Sequence, residues 1–566
     1  MNQFEPAPVP LPNFVRQAEA KVDPLGWVPA TTNVLKRSLR HPDALALALG
    51  RFASRSALLP ARSLVRALNV SGGDAEASKS SSDKRFADPA WEENPYFFSL
   101  RQYYDLWCQF IDEVLAAGQG DRIEDLKASM AVHLVLDALA PVNFLVTNPT
   151  ALSRAFQTGG KSLVRATGLA ISDIVTNGGM PEKVDRSAFV VGKDLAATPG
   201  SVVFRNDLIE LIQYAPQTDQ VRSVPLLCSP PWINKYYVMD LAPRRSLIEW
   251  AVQHGRNCFA ISYRNPDESM GDLTMDDYIE NGLLTAIDVV ADITGSNKVD
   301  IAALCLGGAV TAMTAALLAM RGDDRIGTLT LLNTMLDYSD PGDLSAFVDQ
   351  ESLRRLEGRM SESGYLHSSD MALAFDLLRP RDLIFRYIPD RWLMGETSAP
   401  FDILAWNGDA TRMPAAMHNG YLRDLYHQNQ LARGVLEIHG TRLDPKAITS
   451  DTYIVGAIND HIVPWQASYS SAGLLGGDVR YVLSSGGHIA GVVNPPSPKA
   501  WFETSEYVPG DPQGWRSSAT RTPASWWEDW TSWADARAGE FVAPPEKLGN
   551  DRYAPMDAAP GKYVHG

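Results

Sequence analysis

The chain has only four cysteines in 566 residues, Cys108, Cys228, Cys258 and Cys305, and none belongs to a Cys-x-x-Cys pair or sits near a cluster of histidines. That scarcity excludes a disulfide scaffold and leaves no ligand spacing for a structural zinc ion, so no metal is expected. Positive charge is also in short supply, with 51 Lys and Arg against 67 Asp and Glu and a formal net charge of −16. Proteins that hold nucleic acid set excess cations against phosphates, so general nucleic-acid binding is not expected. The amino terminus, MNQFEPAPVPLPNF, has no basic residue and no unbroken apolar run. It lacks the layout of a secretion signal, and the expected location is the reducing cytoplasm. One uncharged run, the 20 residues Ile301 to Met320, reaches the length that spans a bilayer. Its interior is alanine-rich with Gly307 and Gly308 adjacent, and the strand-like Lys298-Val-Asp-Ile leads into it. Those features predict a strand, a tight turn and a buried helix, with no transmembrane segment.

No internal repeat is visible, and 45% hydrophobic with 21% charged residues is ordinary globular composition. The length accommodates two domains. Residues 31–70 carry Lys36, Arg37, Arg40, Arg51, Arg55, Arg62 and Arg66 against one acid, Asp43, with Leu and Ala at helical intervals. This pattern fits an interfacial amphipathic helix or a solvated helix pair, and the sequence leaves both open. The following SGGDAEASKSSSDK has nothing to bury and reads as a flexible linker. The expected division is therefore a basic amino-terminal segment with linker over residues 1–84 and a helical domain over 85–200. A third region, 201–566, alternates short apolar runs with helices: PLLCSPP, NCFAISY, VDIAALC, TLTLLN, TYIVGA and VRYVLS. Such alternation predicts an α/β architecture with a mostly parallel sheet covered on both faces. More than 100 mainly helical residues, about 340–446, separate TLTLLN from TYIVGA; that is too long for a crossover and predicts a cap. Near the end, Trp526, Trp530 and Trp533 recur at helical spacing, which predicts core packing.

The chemistry concentrates at Ala303-Leu304-Cys305-Leu306-Gly307-Gly308, where a predicted strand meets a predicted helix. It resembles a nucleophile elbow, in which a strained turn lifts the nucleophile above the sheet and small neighbours let strand and helix approach. Gly307 and Ala303 are those neighbours, although the usual pattern has glycine where Ala303 stands. An isolated cysteine in an apolar run is ordinarily core packing. Here two further residues follow in the chain order nucleophile, acid, histidine. Asp460 lies in GAINDHIVP beyond TYIVGA, and His488 lies in SSGGH beyond VRYVLS. Loops at the carboxyl ends of parallel strands share one pocket, so Cys305, His488 and Asp460 are candidates for nucleophile, base and orienting carboxylate. His461 competes for the base role and is placed behind the pocket by its adjacency to Asp460. The oxyanion requires two backbone N–H donors, Leu306 at the helix start and, from Pro230-Pro231-Trp232-Ile233-Asn234, the N–H of Ile233. Arg264 is a candidate partner for a phosphate or simply one half of an ion pair.

These blocks together resemble the polyhydroxyalkanoate synthases, bacterial enzymes that polymerise hydroxyacyl groups from coenzyme A thioesters. The resemblance runs through FADPAWEENP, TGGKSL, VVFRNDLIELIQY, PPWINKYYVMDL, SYRNPDESM, DDYIENGL, the LCLGG elbow, FDILAWNGDATRMP, NDHIVPWQ, LSSGGHIAGVVNPP and GDPQGWR, nearly all of residue 86 onward. It implies an α/β-hydrolase fold with a helical cap and a helical amino-terminal domain. It also implies a single-subunit enzyme with Cys305 as acyl carrier, His488 as base and Asp460 behind it, and Asn234 and Trp406 among the residues around the site. No cofactor is implied, since coenzyme A arrives with the substrate and leaves. The implied partners are the hydroxyacyl-CoA, the growing polyester, a second copy of the chain in a homodimer, and a polyester granule with its associated proteins. Blocks such as ITGSNK and GKYVHG resemble the type favouring medium-length monomers, and the choice between short and medium monomers stays open. Two alternatives remain: a thioesterase or depolymerase of the same fold, in which water resolves the acyl-enzyme, and a noncatalytic granule-coating protein.

Overall fold

The structure, a computed structural model, describes residues 23, 25–67 and 83–566. The first part of the expected basic segment and nearly all of the expected linker lie outside the described residues. The chain forms two compact units, residues 1–185 with 373–400 and residues 186–372 with 401–566.

The first unit is helical: α1 (Trp27–Ser38), α2 (Pro42–Ala67), α3 (Pro95–Ala117), α4 (Arg122–Ala138), α5 (Pro149–Gln157) and α6 (Lys161–Thr176). Side chains mark where several of these begin. Asn94 accepts from the N–H of Tyr96, Asp121 from Ile123 and Glu124, and Asn148 from Ala151, each relieving an orphaned donor of a first turn. The boundary expected at 84/85 does not separate structural units. Phe52 of α2 packs among Tyr103, Trp107 and Phe110 of α3, with ring centroids at 6.2, 4.9 and 5.2 Å. Arg37 of α1 pairs with Glu124 and Asp125 of α4, and Arg51 of α2 pairs with Glu113 of α3. The basic residues of the head are thus partly matched by acids of the next helices. The linker composition gave no hint of this pairing, because it is set by contacts between distant residues.

The expected cap is also divided. Its middle, 373–400, belongs with the helices, held by charge pairs: Arg391 to Asp173 at 2.6 Å, fully buried, Lys183 to Asp376 at 2.5 Å and Arg381 to Asp137 at 3.0 Å. Trp392 Nε1 adds a hydrogen bond to Asp173 at 2.7 Å.

The second unit is built on a ten-stranded sheet: β1 (Gly200–Arg205), β2 (Ile209–Tyr214), β3 (Leu226–Ser229), β4 (Cys258–Tyr263), β5 (Val299–Leu304), β6 (Ile326–Leu332), β7 (Thr452–Ala457), β8 (Val479–Ser484), β9 (Phe502–Thr504) and β10 (Thr520–Thr522). Its spatial order is β1-β2-β4-β3-β5-β6-β7-β8-β9-β10. The six central strands are parallel, and antiparallel pairs close both edges. Every residue of β4, β5 and β7 is buried, as expected of strands covered on both faces. One charge inside β5 is satisfied: Asp300 pairs with Arg256 at 2.6 Å and accepts the Thr328 N–H at 2.8 Å. The uncharged run from Ile301 resolves into the end of β5, the turn at Cys305 and α7 (Leu306–Met320), buried over most of its length. No helix among the described residues is long and apolar enough to cross a membrane.

Register aligns the carboxyl ends of the central strands. Ser229 pairs with Ala303, Leu304 with Leu332, Val455 with Leu332, and Ala457 with Ser484. The order reverses beside β3, the chain going first to β4 on one side and then to β5 on the other, and a crevice above such a reversal is where parallel sheets collect ligands. The tryptophan-rich α8 (Trp526–Asp535) is core, as its spacing predicts, with Trp526 and Trp530 buried and Trp533 partly so. Trp530 Nε1 donates to Thr330 Oγ1 on β6 at 2.9 Å. Replacing Trp530 with Ala is expected to cost about 4 kcal/mol, from the lost burial and the cavity left behind, measured by denaturant unfolding; a loss below about 1 kcal/mol would show that the helix is peripheral.

Candidate active site

Cys305 occupies the turn between β5 and α7 with φ 52° and ψ −115°, a left-handed conformation that costs energy for any residue bearing a Cβ. The strain is held from both sides. Cys305 donates its N–H to Leu332 O on β6 at 2.9 Å, and its carbonyl accepts from Gly308 and Ala309 at 2.9 and 3.1 Å. The two glycines that follow are demanded by space. A Cβ on Gly307 would lie 2.2 Å from the Ser229 carbonyl oxygen, and one on Gly308 would lie 2.0 Å from Thr334 Oγ1. Ala303, where the elbow pattern has glycine, is fully buried with its methyl accommodated.

His488 follows β8 and Asp460 follows β7. The structure joins them: His488 Nδ1 hydrogen-bonds Asp460 Oδ2 at 2.7 Å. Asp460 Oδ1 accepts the N–H groups of Ile462 and Val463, each at 2.9 Å, so the carboxylate is aimed by its own loop. With Nδ1 committed as donor to Asp460, Nε2 is the nitrogen left for a proton from elsewhere. The Cys305 thiol is near enough to interact with that imidazole. Burial alone would lower the basicity of His488, but the carboxylate of Asp460 and the sulfur of Cys305 outweigh it and hold the imidazole well above its usual range. Three of the residues singled out from the sequence therefore come together as a set.

The candidate oxyanion donors lie on two segments that pack together. Gly307 packs directly on the Ser229 and Pro230 carbonyls, which brings the start of α7 against the loop that carries Ile233. Neither the Leu306 nor the Ile233 N–H has an acceptor among the described residues. Asn234 and Trp406 brace that loop. The Asn234 N–H donates to Thr411 Oγ1 at 2.9 Å, its side chain to Asn407 O at 3.2 Å, and Trp406 Nε1 to Lys235 O at 2.7 Å. His461, half-buried, stands one residue beyond Asp460 and is not the histidine that Asp460 engages. Arg264 is occupied by Asp267 at 2.5 Å. No group of three or more His, Cys, Asp or Glu among the described residues is arranged to hold a metal ion.

Sequence reasoning missed two features. Tyr338, Tyr421 and Tyr426 cluster near Cys305, with centroids of Tyr338 and Tyr426 at 4.6 Å and of Tyr421 and Tyr426 at 5.3 Å. Burial, then mutual repulsion and the nearby sulfur, push all three phenols upward, so they remain protonated donors at neutral pH. Nothing in their spacing points to Cys305. Asn333, directly after β6, could have been found by its place at a strand end; its Nδ2 donates to the His488 carbonyl.

Residues 82–251 match the family described as poly-beta-hydroxybutyrate polymerase (PhaC) N-terminus, and residues 227–495 match the alpha/beta hydrolase fold. The chain is 41% identical over 499 residues to poly(3-hydroxyalkanoate) polymerase 1 of Ectopseudomonas oleovorans, covering 88% of this chain and 89% of that protein. The chain belongs to the poly(3-hydroxyalkanoate) polymerase family. The polymerase subunit PhaC of Cupriavidus necator is 41% identical over 500 residues, covering 87% and 84% of the two chains. The poly(3-hydroxyalkanoate) polymerase of Methylorubrum extorquens is 39% identical over 573 residues, covering 100% and 94%. These polymerases are acyltransferases, and the family's α/β-hydrolase fold is the one the sheet displays. Among solved structures, a malate-bound thermophilic esterase from Thermogutta terrifontis covers 52% of this chain and 93% of its own, at 15% identity and a TM-score of 0.31, a likeness too remote to bear on function.

The raised basicity of His488 has a consequence for stability. A group protonated more readily in the folded chain stabilises the fold fully below its unfolded value of 6.5, and that contribution is lost as pH rises through the folded value. The stability gap between the unaltered polymerase and Asp460→Asn, followed by thermal unfolding from about pH 6 to about pH 9, is expected to be largest at the acidic end. A gap that widened toward alkaline pH would contradict the pairing.

Proposed function

We propose that this polymerase joins (R)-3-hydroxyacyl groups from coenzyme A thioesters into polyhydroxyalkanoate, carrying the acyl chain on Cys305 and releasing coenzyme A. The observation that carries the reading is Cys305 held at a strained strand-to-helix turn beside the His488–Asp460 pair, in a chain of this family. In the first half-reaction His488 Nε2 takes the Cys305 proton and the thiolate attacks the thioester carbonyl carbon. The N–H groups of Leu306 and Ile233 receive the developing oxyanion. As the tetrahedral adduct collapses, the carbon–sulfur bond to coenzyme A breaks, and the departing thiolate takes the proton back from His488. Asp460 fixes the tautomer throughout and steadies the imidazolium. In the second half-reaction the 3-hydroxyl of another unit gives its proton to His488 and attacks the Cys305 thioester. An ester forms, and the Cys305 sulfur leaves and is reprotonated.

The choice of sulfur has a thermodynamic reason. A thioester passes its acyl group to an alcohol downhill, whereas a serine ester would make each elongation step nearly neutral. The enzyme acts in the cytoplasm as a homodimer at the surface of a polyester granule, and the helical unit is the part that serves attachment or dimer formation.

The test is incubation of the purified protein with 3-hydroxybutyryl-CoA, following free thiol and turbidity together, with Cys305→Ala alongside. Thiol release with turbidity is expected, and Cys305→Ala should lose more than about 1,000-fold of it. Thiol release without turbidity would favour a thioesterase, and turnover by Cys305→Ala would remove Cys305 from the chemistry. Longer hydroxyacyl-CoAs decide the case if the short one is silent. Asp460→Asn is expected to slow steady elongation more than the first release of coenzyme A, because a hydroxyl is harder to deprotonate than a thiol; equal losses would overturn that division.

A further inference from the structure

Asn333 makes none of the bonds in the steps above, yet the structure spends energy to keep it. Its backbone lies in the left-handed region at φ 42°, a conformation asparagine adopts more readily than other side-chain-bearing residues. It is completely buried, and its Oδ1 has no hydrogen-bond partner. A buried acceptor left unpaired is costly. An apolar residue or glycine would avoid one or both penalties. What the amide provides is a bond from Nδ2 to the backbone carbonyl of His488, while the Asn333 N–H is tied to Val455 O on β7 at 2.8 Å.

The place of that bond matters. The His488 imidazole is pinned at Nδ1 by Asp460, and one hydrogen bond leaves a ring free to pivot about it. The loop carrying His488 is otherwise held away from the histidine itself, by Asn459 N–H to Gly486 O at 2.9 Å and by Ser485 N–H to Trp501 O at 3.0 Å. Gly486, at φ 107°, and Gly487 precede the histidine, so its approach is built from the least restrained residues. Among the described residues, Asn333 is the group that grips the main chain of His488.

We infer that Asn333 is a positioning residue: anchored to β7 by its own backbone, it clamps the carbonyl of His488 and so sets the imidazole between Asp460 and Cys305. This rests on the proposed roles of those three residues. A ring displaced by a fraction of an ångström would be held less firmly by Asp460 and would transfer protons poorly, which is a loss in turnover and leaves substrate affinity unaffected.

The test separates the amide from the backbone. Asn333→Gly keeps the left-handed turn free of strain and deletes the amide; Asn333→Ala deletes the amide and adds strain. Both are assayed for release of coenzyme A from 3-hydroxybutyryl-CoA, with Cys305→Ala in parallel and thermal unfolding measured on each. Asn333→Gly is expected to lower kcat by about tenfold or more with KM changed by less than about twofold. The limb of its pH–rate profile governed by His488 should move toward the ordinary histidine range, as the ring loosens from Asp460. A normal kcat and pH profile in Asn333→Gly, with loss confined to Asn333→Ala, would overturn the inference and leave only a backbone requirement. A drop in thermal stability with kcat and pH profile unmoved would do the same. Failure of the underlying reading looks different, since Cys305→Ala would then retain turnover whatever the Asn333 variants do.

Discussion

The site depends on one close approach between backbones. Gly307 at the start of α7 sits against the Ser229 and Pro230 carbonyls at the end of β3, with no room for a methyl group, and Gly308 sits equally tightly on Thr334 beyond β6. These contacts wedge the elbow between two neighbouring strand ends. They force Cys305 into its strained turn, and they bring the first N–H of the helix to the loop bearing Ile233. Were the helix a few tenths of an ångström further off, the turn could relax. The strain at Cys305 is thus a by-product of packing between neighbouring strand ends, and the rigid sheet beneath sustains it.

A second layer holds the histidine. The α8 tryptophans do more than fill the core: Trp526 Nε1 donates to Gly491 O at 2.8 Å and Trp527 Nε1 to Val492 O at 2.9 Å, both just past His488. Ser525, which caps the helix, donates to Asn494 O. Burying indole N–H groups would be costly without acceptors, and the loop carbonyls supply them. The loop gains rigidity from the same bonds that satisfy the helix.

Much of this was legible in the sequence, for physical reasons. Fully buried parallel strands leave continuous apolar runs, and the residues just beyond them fall at one edge of the sheet, so Cys305, Asp460 and His488 could be named from order and position alone. The tryptophan spacing identified a buried helix face. What could not be read was fixed by contacts between residues far apart in the chain. The tyrosines near Cys305 come from two places, Tyr338 and the helical turn bearing Tyr421 and Tyr426, about 80 residues apart. The packing of Phe52 on Tyr103, Trp107 and Phe110 crosses a linker whose composition suggested independence. The charge pairs of Arg391 and Lys183 join segments about 200 residues apart. Arg264 and Asn234 were visible as polar residues in the right loops, but their contacts with Asp267 and Thr411 appear only in the fold.

The assignment of 373–400 to the helical unit has a topological consequence. The chain crosses between the units three times, near 185, 372 and 400, where two domains in series would cross once. A single cut near 185 would leave residues 1–185 attached to 373–400 by packing alone, through pairs such as Arg391 with Asp173. No single proteolytic cut can therefore excise the helical unit whole, because its residues are interleaved along the chain with those of the other unit.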